Sequence, residues 1–516
     1  MRFRFFNFNN VEKITQRFFN EEKASIKTQK KALQRLVKSA EKTKFGSEYN
    51  FGEILMNSDE LVTAFQKNVP IHDYDDMFKW WKDSLDGKEN ITWPGEVKYF
   101  ALSSGTSGGP SKYIPITEDM HRAMKAAARR ILITLWQMDI PREVIFKKWL
   151  MVGGSATLTP HKHSLVGDLS GINGLKPPVW MKRFKRPGLE ISKLPNWEDR
   201  CTEIAKNARD WDISIISGIP SWVQLTLEKV IEYNGVKNIH EIWPNLTVFI
   251  TGGIAFGPYQ KHFEKLLGKP ITYLDTYLAS EGFIAYQKRS GNGEMKLLLK
   301  NGIFFEFIPF NLNNFNENGD IKSGAKALTI NQTEENADYA LLISTCAGAW
   351  RYLIGDVIRF INKSQHEIII TGRTKHFLSV CGEHLSVDNM NKAIHTINEK
   401  FNLSIGDYTV GAVAENYHFA HHWYLGVNDA VEAGKISREL DEILKVLNDD
   451  YRAERGAMLH PPVVKVISEK WFYDWMQAKG KLNGQSKVPR VMKGDNFSAW
   501  QAFVKEKLAQ EAYATI

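Results

Sequence analysis

Apolar residues at Ile26, Leu33, Leu36 and Val37 recur near helical spacing, which predicts one or two amphipathic helices over residues 11–45, closed at Gly46. From Val97 the pattern changes to short β-type runs separated by helical stretches. Strands are predicted at Val97–Leu102, Lys112–Ile116, Lys148–Val152, Thr247–Thr251 and Ile271–Leu274. Thr117 followed by Glu118 and Asp119 predicts a capped helix running towards Met138. Such alternation is the pattern of α/β layers. Later runs (Ile303–Ile308, Tyr339–Ser344, Val357–Ile361, Glu367–Thr371) follow closely, as in an antiparallel subdomain. After Leu385 the order becomes a helix to Lys400, strands at Tyr408–Ala414 and Trp423–Val427, a long helix capped by Ser437 running towards Arg455, and a strand at Val463–Ile467. The fold class expected is α/β: a large N-terminal domain of layered sheets and helices, residues 1–380, joined by a hinge to a smaller α+β domain, residues 381–516. The hinge is placed in Ser379–Leu385, where Gly382 permits unusual backbone angles.

The 516 residues are 43% hydrophobic and 24% charged, ordinary values for a globular protein. No apolar run approaches the roughly 18–20 residues that span a bilayer, and the first residues lack the roughly 7–15-residue apolar stretch of a signal peptide. A cytoplasmic protein with no membrane partner is expected, and a monomer. Cys201, Cys346 and Cys381 lie far apart without a CxxC pattern, against a disulfide framework or a zinc site. The net charge of +8 is spread along the chain, with modest concentrations at Lys27–Lys44 and Lys182–Arg186. No nucleic-acid-binding motif accompanies it, and an anionic small ligand fits the positive balance equally well, so charge alone decides nothing.

The strongest local signal is the run from Ser103 to Lys112: Ser103, Ser104, Gly105, Thr106, Ser107, Gly108, Gly109, Pro110, Ser111 and Lys112. Small residues let backbone N–H groups converge on phosphate oxygens, hydroxyls add donors, and Lys112 adds a mobile charge. The spacing is neither Walker A nor GxGxxG. Downstream, Tyr273–Gly282 offers aromatic faces, hydroxyls and a carboxylate (Thr276, Tyr277, Ser280, Glu281) at the end of a predicted strand. A carboxylate beside phosphates is tolerated when magnesium lies between them. Asp356, expected just before a strand, can accept from ribose hydroxyls, and Arg373 and Lys375 can meet ribose or phosphate oxygens. Each segment alone is also an ordinary turn or strand end.

In order and spacing these segments resemble the adenylate-forming superfamily of acyl-CoA synthetases, luciferases and peptide-synthetase adenylation domains. The closer resemblance is to the Gretchen Hagen family of acyl-acid amido synthetases. It rests on Phe45–Phe51, Val69-Pro70-Ile71 with Tyr74, Trp93-Pro94-Gly95, Thr276–Gly282, Arg351–Asp356, the Asn448/Tyr451/Arg455 set and Lys487-Val488-Pro489-Arg490. The hinge sequence Cys381-Gly382-Glu383-His384 departs from the plant type and resembles a bacterial branch.

The resemblance implies ATP and magnesium, a small carboxylic acid, and an amine, most simply an amino acid. The acid attacks the α-phosphorus to give acyl-AMP, and the amine then displaces AMP. It implies that Ser103, Ser104, Gly105, Thr106, Ser107 and Lys112 hold phosphates and that Glu281 places the metal. Tyr277, with Thr276 and Ser280, packs on the nucleotide; Asp356 and Arg373 fix the ribose, with Lys375 nearby. Thr106, Glu281 and Lys487 are the implied catalytic residues, Lys487 meeting the α-phosphate. Gly154, Ser155, Ser217 and Trp222 are expected around the acyl group. His384, Glu383 and His421 are candidates for the base that takes the amine proton, while His418, His421 and His422 together are read as a surface or interface cluster lying between strands. An acid–thiol ligase using the same first step is the alternative enzyme, and an inactive adenylate-binding protein the alternative without chemistry.

Overall fold

The computed structural model describes residues 25–103 and 112–514, apart from positions 139, 179–180, 255, 290–292, 317–318, 376, 379–382, 384, 416–417, 430, 456–458 and 481–486. Its centre is an eleven-stranded mixed sheet. One half is parallel, in the order Thr272–Ala279, Val248–Gly252, Ile213–Gly218, Lys148–Met151, Lys185–Arg186. Helices Trp197–Asn207, Pro220–Asn234 and Gly257–Lys265 fall between these strands in sequence and supply the crossovers that parallel pairing needs. The other half, from Met295–Leu297 to Glu367–Arg373, has no such helices among the described residues and pairs as antiparallel neighbours. The α/β expectation and the antiparallel subdomain are both observed.

Thr117 caps the helix Glu118–Gln137, its side chain accepting from the Met120 N–H. Other boundaries differ from the sequence reading. The first described helix, Ser25–Ala40, ends before Gly46, which lies inside a second short helix, Lys44–Glu48. Gly46 is needed for close approach rather than termination, because a Cβ there would lie 2.1 Å from the Ala40 carbonyl oxygen. Ser437 sits within the helix Ala433–Leu447, its hydroxyl donating to the Pro462 carbonyl, and a separate helix covers Asp449–Arg455. His418, His421 and His422 lie in the strand His418–Gly426, not between strands. The C-terminal part is a three-stranded sheet (Tyr408–Glu415, His418–Gly426, Val463–Ile467) flanked by helices that include Val387–Phe401 and Lys470–Ala478.

Arg351 ties the N-terminal helices to the sheet. Its φ of 41° is left-handed, a strained state for a residue with a Cβ. The guanidinium meets both oxygens of fully buried Glu306 at 3.0–3.2 Å and donates to the Gln66 and Val69 carbonyls at 3.0 and 2.8 Å. Removing one partner would leave an uncompensated buried charge, a loss of about 3–5 kcal/mol. Glu306→Ala is therefore expected to lower the urea unfolding midpoint sharply; an unchanged midpoint would show that the pair is dispensable.

Candidate active site

The carboxyl ends of the parallel strands open into a cleft of about 1580 Å3, the usual ligand position in α/β sheets. Its floor is Ser217-Gly218, Thr251-Gly252-Gly253 and Thr276–Glu281; Asp356 and Arg373 form one side and Lys487 of the C-terminal part reaches in from above. Gly252 has no room for a side chain, since a Cβ would lie 2.5 Å from Thr276 Oγ1.

Asp356 does not precede a strand: it lies within Tyr352–Asn362, and Arg373 within Glu367–Arg373. The two are direct cross-strand partners, with Arg373 Nε 2.8 Å from Asp356 Oδ1. The buried Tyr277 hydroxyl donates to the other Asp356 oxygen, Oδ2. Tyr277 itself is inside the strand Thr272–Ala279, which is longer than expected and carries the motif into the turn at Ser280-Glu281. The Asp356 carboxylate is thus held from two other strands, by Tyr277 and by Arg373.

Glu281 is only 6% exposed, and burial pushes its carboxyl up while the Lys112 ammonium draws it down. Lys112 is paired with Ser103 across an antiparallel hairpin, so the two ends of the glycine-rich loop meet at the cleft. Burial lowers the Lys112 ammonium, against the attraction of Glu281. Ser104, Gly105, Thr106 and Ser107 lie outside the described residues, as do Cys381, Gly382 and His384. Lys487 keeps contact with solvent in the cleft but is ringed by protein. That environment pushes its ammonium down to about 8, with Arg373 adding repulsion and Asp356 and Glu281 opposing. Its Cε lies 3.6 Å from a Cβ position on Gly253.

Gly154 and Ser217 line the cleft as expected. Gly154 is glycine because a Cβ would lie 2.0 Å from the Asp168 carboxylate. Three expectations change. Trp222 is a core residue, 1% exposed, packed edge-on against Trp197 at 4.5 Å. Ser155 does not line the cleft; its hydroxyl accepts from the Thr157 N–H. Lys375 pairs with Asp320 at 2.9 Å on the surface, outside the cleft. Of the base candidates, Glu383 and His421 are buried against each other, 2.9 Å apart, and neither lines the cleft in this arrangement. His421, at 1% exposure, is not at the surface, one of the two positions expected for the histidine cluster.

The sequence reading missed Asp275, which faces the cleft; burial pushes its carboxyl up to about 7 against a hydrogen bond from the Thr276 N–H. It also missed a buried network around Arg490, three residues from Lys487. Arg490 donates to the Tyr259 hydroxyl at 2.9 Å and the Gly406 carbonyl at 3.1 Å, and approaches Asp407 at 3.4 Å. Tyr259 and Tyr473 both donate to Asp407. Tyr259 belongs to the helix Gly257–Lys265 of the large part, the others to the C-terminal part, so this buried network joins the two. The signal available beforehand was only that Arg490 stands three residues from Lys487.

Residues 14–160 match the GH3 family N-terminal domain, 296–368 the GH3 family central domain and 388–496 the GH3 family C-terminal domain. The chain belongs to the GH3 family. GH3 is the Gretchen Hagen family, as the sequence motifs implied. This GH3 chain is 23% identical over 507 residues to the indole-3-acetic acid-amido synthetase GH3.15 of Arabidopsis thaliana, covering 83% of the chain and 84% of that protein. With the probable indole-3-acetic acid-amido synthetase GH3.1 of Arabidopsis thaliana it shares 25% identity over 282 residues, spanning 50% of the chain and only 45% of that relative. A solved structure of the GH3.15 acyl acid amido synthetase in complex with 2,4-DB superposes with a TM-score of 0.76 at 16% identity, covering 96% of this chain and 97% of that one. At that identity the likeness is one of fold. Among the described residues no helix is long and apolar enough to cross a membrane.

Proposed function

We propose that this GH3 protein is an ATP-dependent ligase that adenylates a carboxylic acid and passes the acyl group to an amine, forming an amide. The observation that carries the proposal is the convergence of Lys112, Glu281, the Tyr277–Asp356–Arg373 group and Lys487 on one cleft, from segments far apart in sequence. Asp356 would accept from the ribose hydroxyls, held in place by Tyr277 and Arg373. Lys112 and the loop from Ser103 would hold the leaving phosphates. Lys487 would carry positive charge to the α-phosphate, where negative charge builds as the acid attacks. The acid is already ionised at neutral pH, so this half-reaction needs positioning and charge stabilisation rather than a base.

Magnesium, which takes one or two carboxylates plus phosphate oxygens, fits the donor set, since Glu281 lines the cleft. Buried Glu281 would supply that carboxylate, and the ion would neutralise phosphate charge.

The acyl group would lie on the opposite sheet face from Tyr277, beneath the helix Glu118–Gln137. Met124, Ala128 and Ile131 of that helix face Trp149, Met151 and Ile250 of the strands across the cleft. The chain would divide near residue 380, with the C-terminal part turning between half-reactions so that the amine can enter.

Acid-dependent exchange of labelled pyrophosphate into ATP tests the first step across a panel of acids. Mass identification of products formed with amino acids or with CoA tests the second. A thioester as the sole product would overturn the amide reading, and no exchange with any acid would overturn adenylation.

A further inference from the structure

The proposed acyl chamber has Met124, Ala128, Ile131, Trp149 and Met151 along its walls, and Lys185 stands at its far end in the edge strand Lys185–Arg186. Lys185 is the register partner of Trp149 on the neighbouring parallel strand, so its side chain emerges on the same face as Trp149 and Met151, into the cleft. Its ammonium donates to the Gly174 carbonyl at 3.1 Å and, among the described residues, forms no ion pair. Burial alone lowers it, with no charged neighbour contributing. Lys148 and Arg186, one position along from Trp149 and Lys185 on their strands, fall on the opposite face of the sheet and do not line the cleft. Of the other cations that line the cleft, Lys176 is neutralised by Glu118 at 2.8 Å and Arg200 donates to the Leu194 and Pro195 carbonyls.

A half-buried cation held by one carbonyl is costly unless an anion completes it. The sheet register shows where that anion would lie relative to the nucleotide. Thr276 pairs with Gly252, Thr251 with Gly218, Ser217 with Met151, and Trp149 with Lys185. Lys185 is thus four strand spacings from the Thr276–Tyr277 strand, about 19 Å across the sheet, and about 7 Å deeper along the strands than Ser217. The methionines, Trp149 and Ile250 fill the interval.

We infer that the acyl substrate carries a second anionic group, a carboxylate, separated by an apolar body from the one that is activated, and that Lys185 pairs with it. The inference rests on the adenylation reading and narrows it: the substrate class is a dicarboxylic acid rather than a simple aliphatic or aromatic acid.

The test compares exchange supported by α,ω-dicarboxylic acids and by monocarboxylic acids of matched chain length, as kcat/KM, in the wild type and in Lys185→Met and Lys185→Gln. The expected result is a wild-type preference for diacids of intermediate length, falling at least tenfold in both variants and expressed mainly in KM. Because the wild-type preference does not depend on how a variant folds, a wild type that favours monoacids at every length overturns the inference while leaving adenylation standing. A diacid preference that both variants retain also overturns it. Exchange with no acid of either kind overturns the adenylation reading, and this one with it.

Discussion

Lys487→Ala is expected to lower acid-dependent pyrophosphate exchange by about 10²–10³-fold, the usual cost of removing one donor aimed at developing charge. Transfer from preformed acyl-AMP to an amine should change little, because the α-phosphate is no longer a reaction centre. The same residue predicts a pH limb. Its ammonium is pushed down to about 8, chiefly by the protein that rings it in the cleft. The protonated form is the one that stabilises phosphate charge, so kcat/KM for ATP should fall as pH rises past about 8. Lys487→Arg should abolish that limb, since a guanidinium stays charged. Bound ATP raises the lysine's proton affinity, so kcat at saturating ATP should show the limb at higher pH. Exchange within threefold of wild type in Lys487→Ala would remove the lysine from the mechanism.

The second large effect is expected at the buried network around Arg490, three residues along the chain from this lysine. Arg490→Ala would leave the Asp407 carboxylate, fully buried, facing Tyr259 and Tyr473 without its cation. Breaking such a pair costs about 3–5 kcal/mol. Part of that cost falls on docking of the C-terminal part, because Tyr259 comes from the other side. Exchange should therefore fall with it. Tyr259→Phe isolates the docking contribution: it removes one hydroxyl shared by Asp407 and Arg490, a net loss of about 1–1.5 kcal/mol and so about tenfold in exchange. A Tyr259→Phe protein with wild-type exchange would show that the network does not position Lys487. Glu469 makes the network pH-dependent. Burial, then the charges of Asp407 and Glu228, push its carboxyl up from 4.5 to about 8, with Arg490 opposing. A raised carboxyl contributes stability that is complete below about 4.5 and lost as pH climbs through about 8. The unfolding midpoint should fall between pH 6 and pH 9, and Glu469→Gln should flatten that fall.

Local chemistry was legible because it depends on neighbours in the chain. Thr117 followed by two acidic residues predicts a capped helix, and the helix starts there. The spacing of helices between strands separates the parallel half of the sheet from the antiparallel half, since only a crossover can return the chain to pair in parallel. Boundaries failed where a short motif continues a strand. Gly355-Asp356 resembles a turn, yet Asp356 sits mid-strand, and its carboxylate meets an arginine seventeen residues on that is its register partner. Trp222 shows the converse: an aromatic beside a glycine-rich stretch invites a binding role, while its partner Trp197, from a neighbouring helix, buries it in the core.

By itself the amino-acid order determined which chemical groups are present, their succession along the chain, and the elements that carry most of them, because capping, periodicity and turn chemistry are short-range. It left open which of those groups share a cavity. That was settled by strand register and by docking of the C-terminal part, which rest on burial and hydrogen bonds between residues far apart: Asp356 against Arg373, Lys487 above Gly253, Arg490 on Tyr259, and Lys185 beside Trp149. No local pattern encodes those distances, since each is the sum of many packing contacts along the intervening chain.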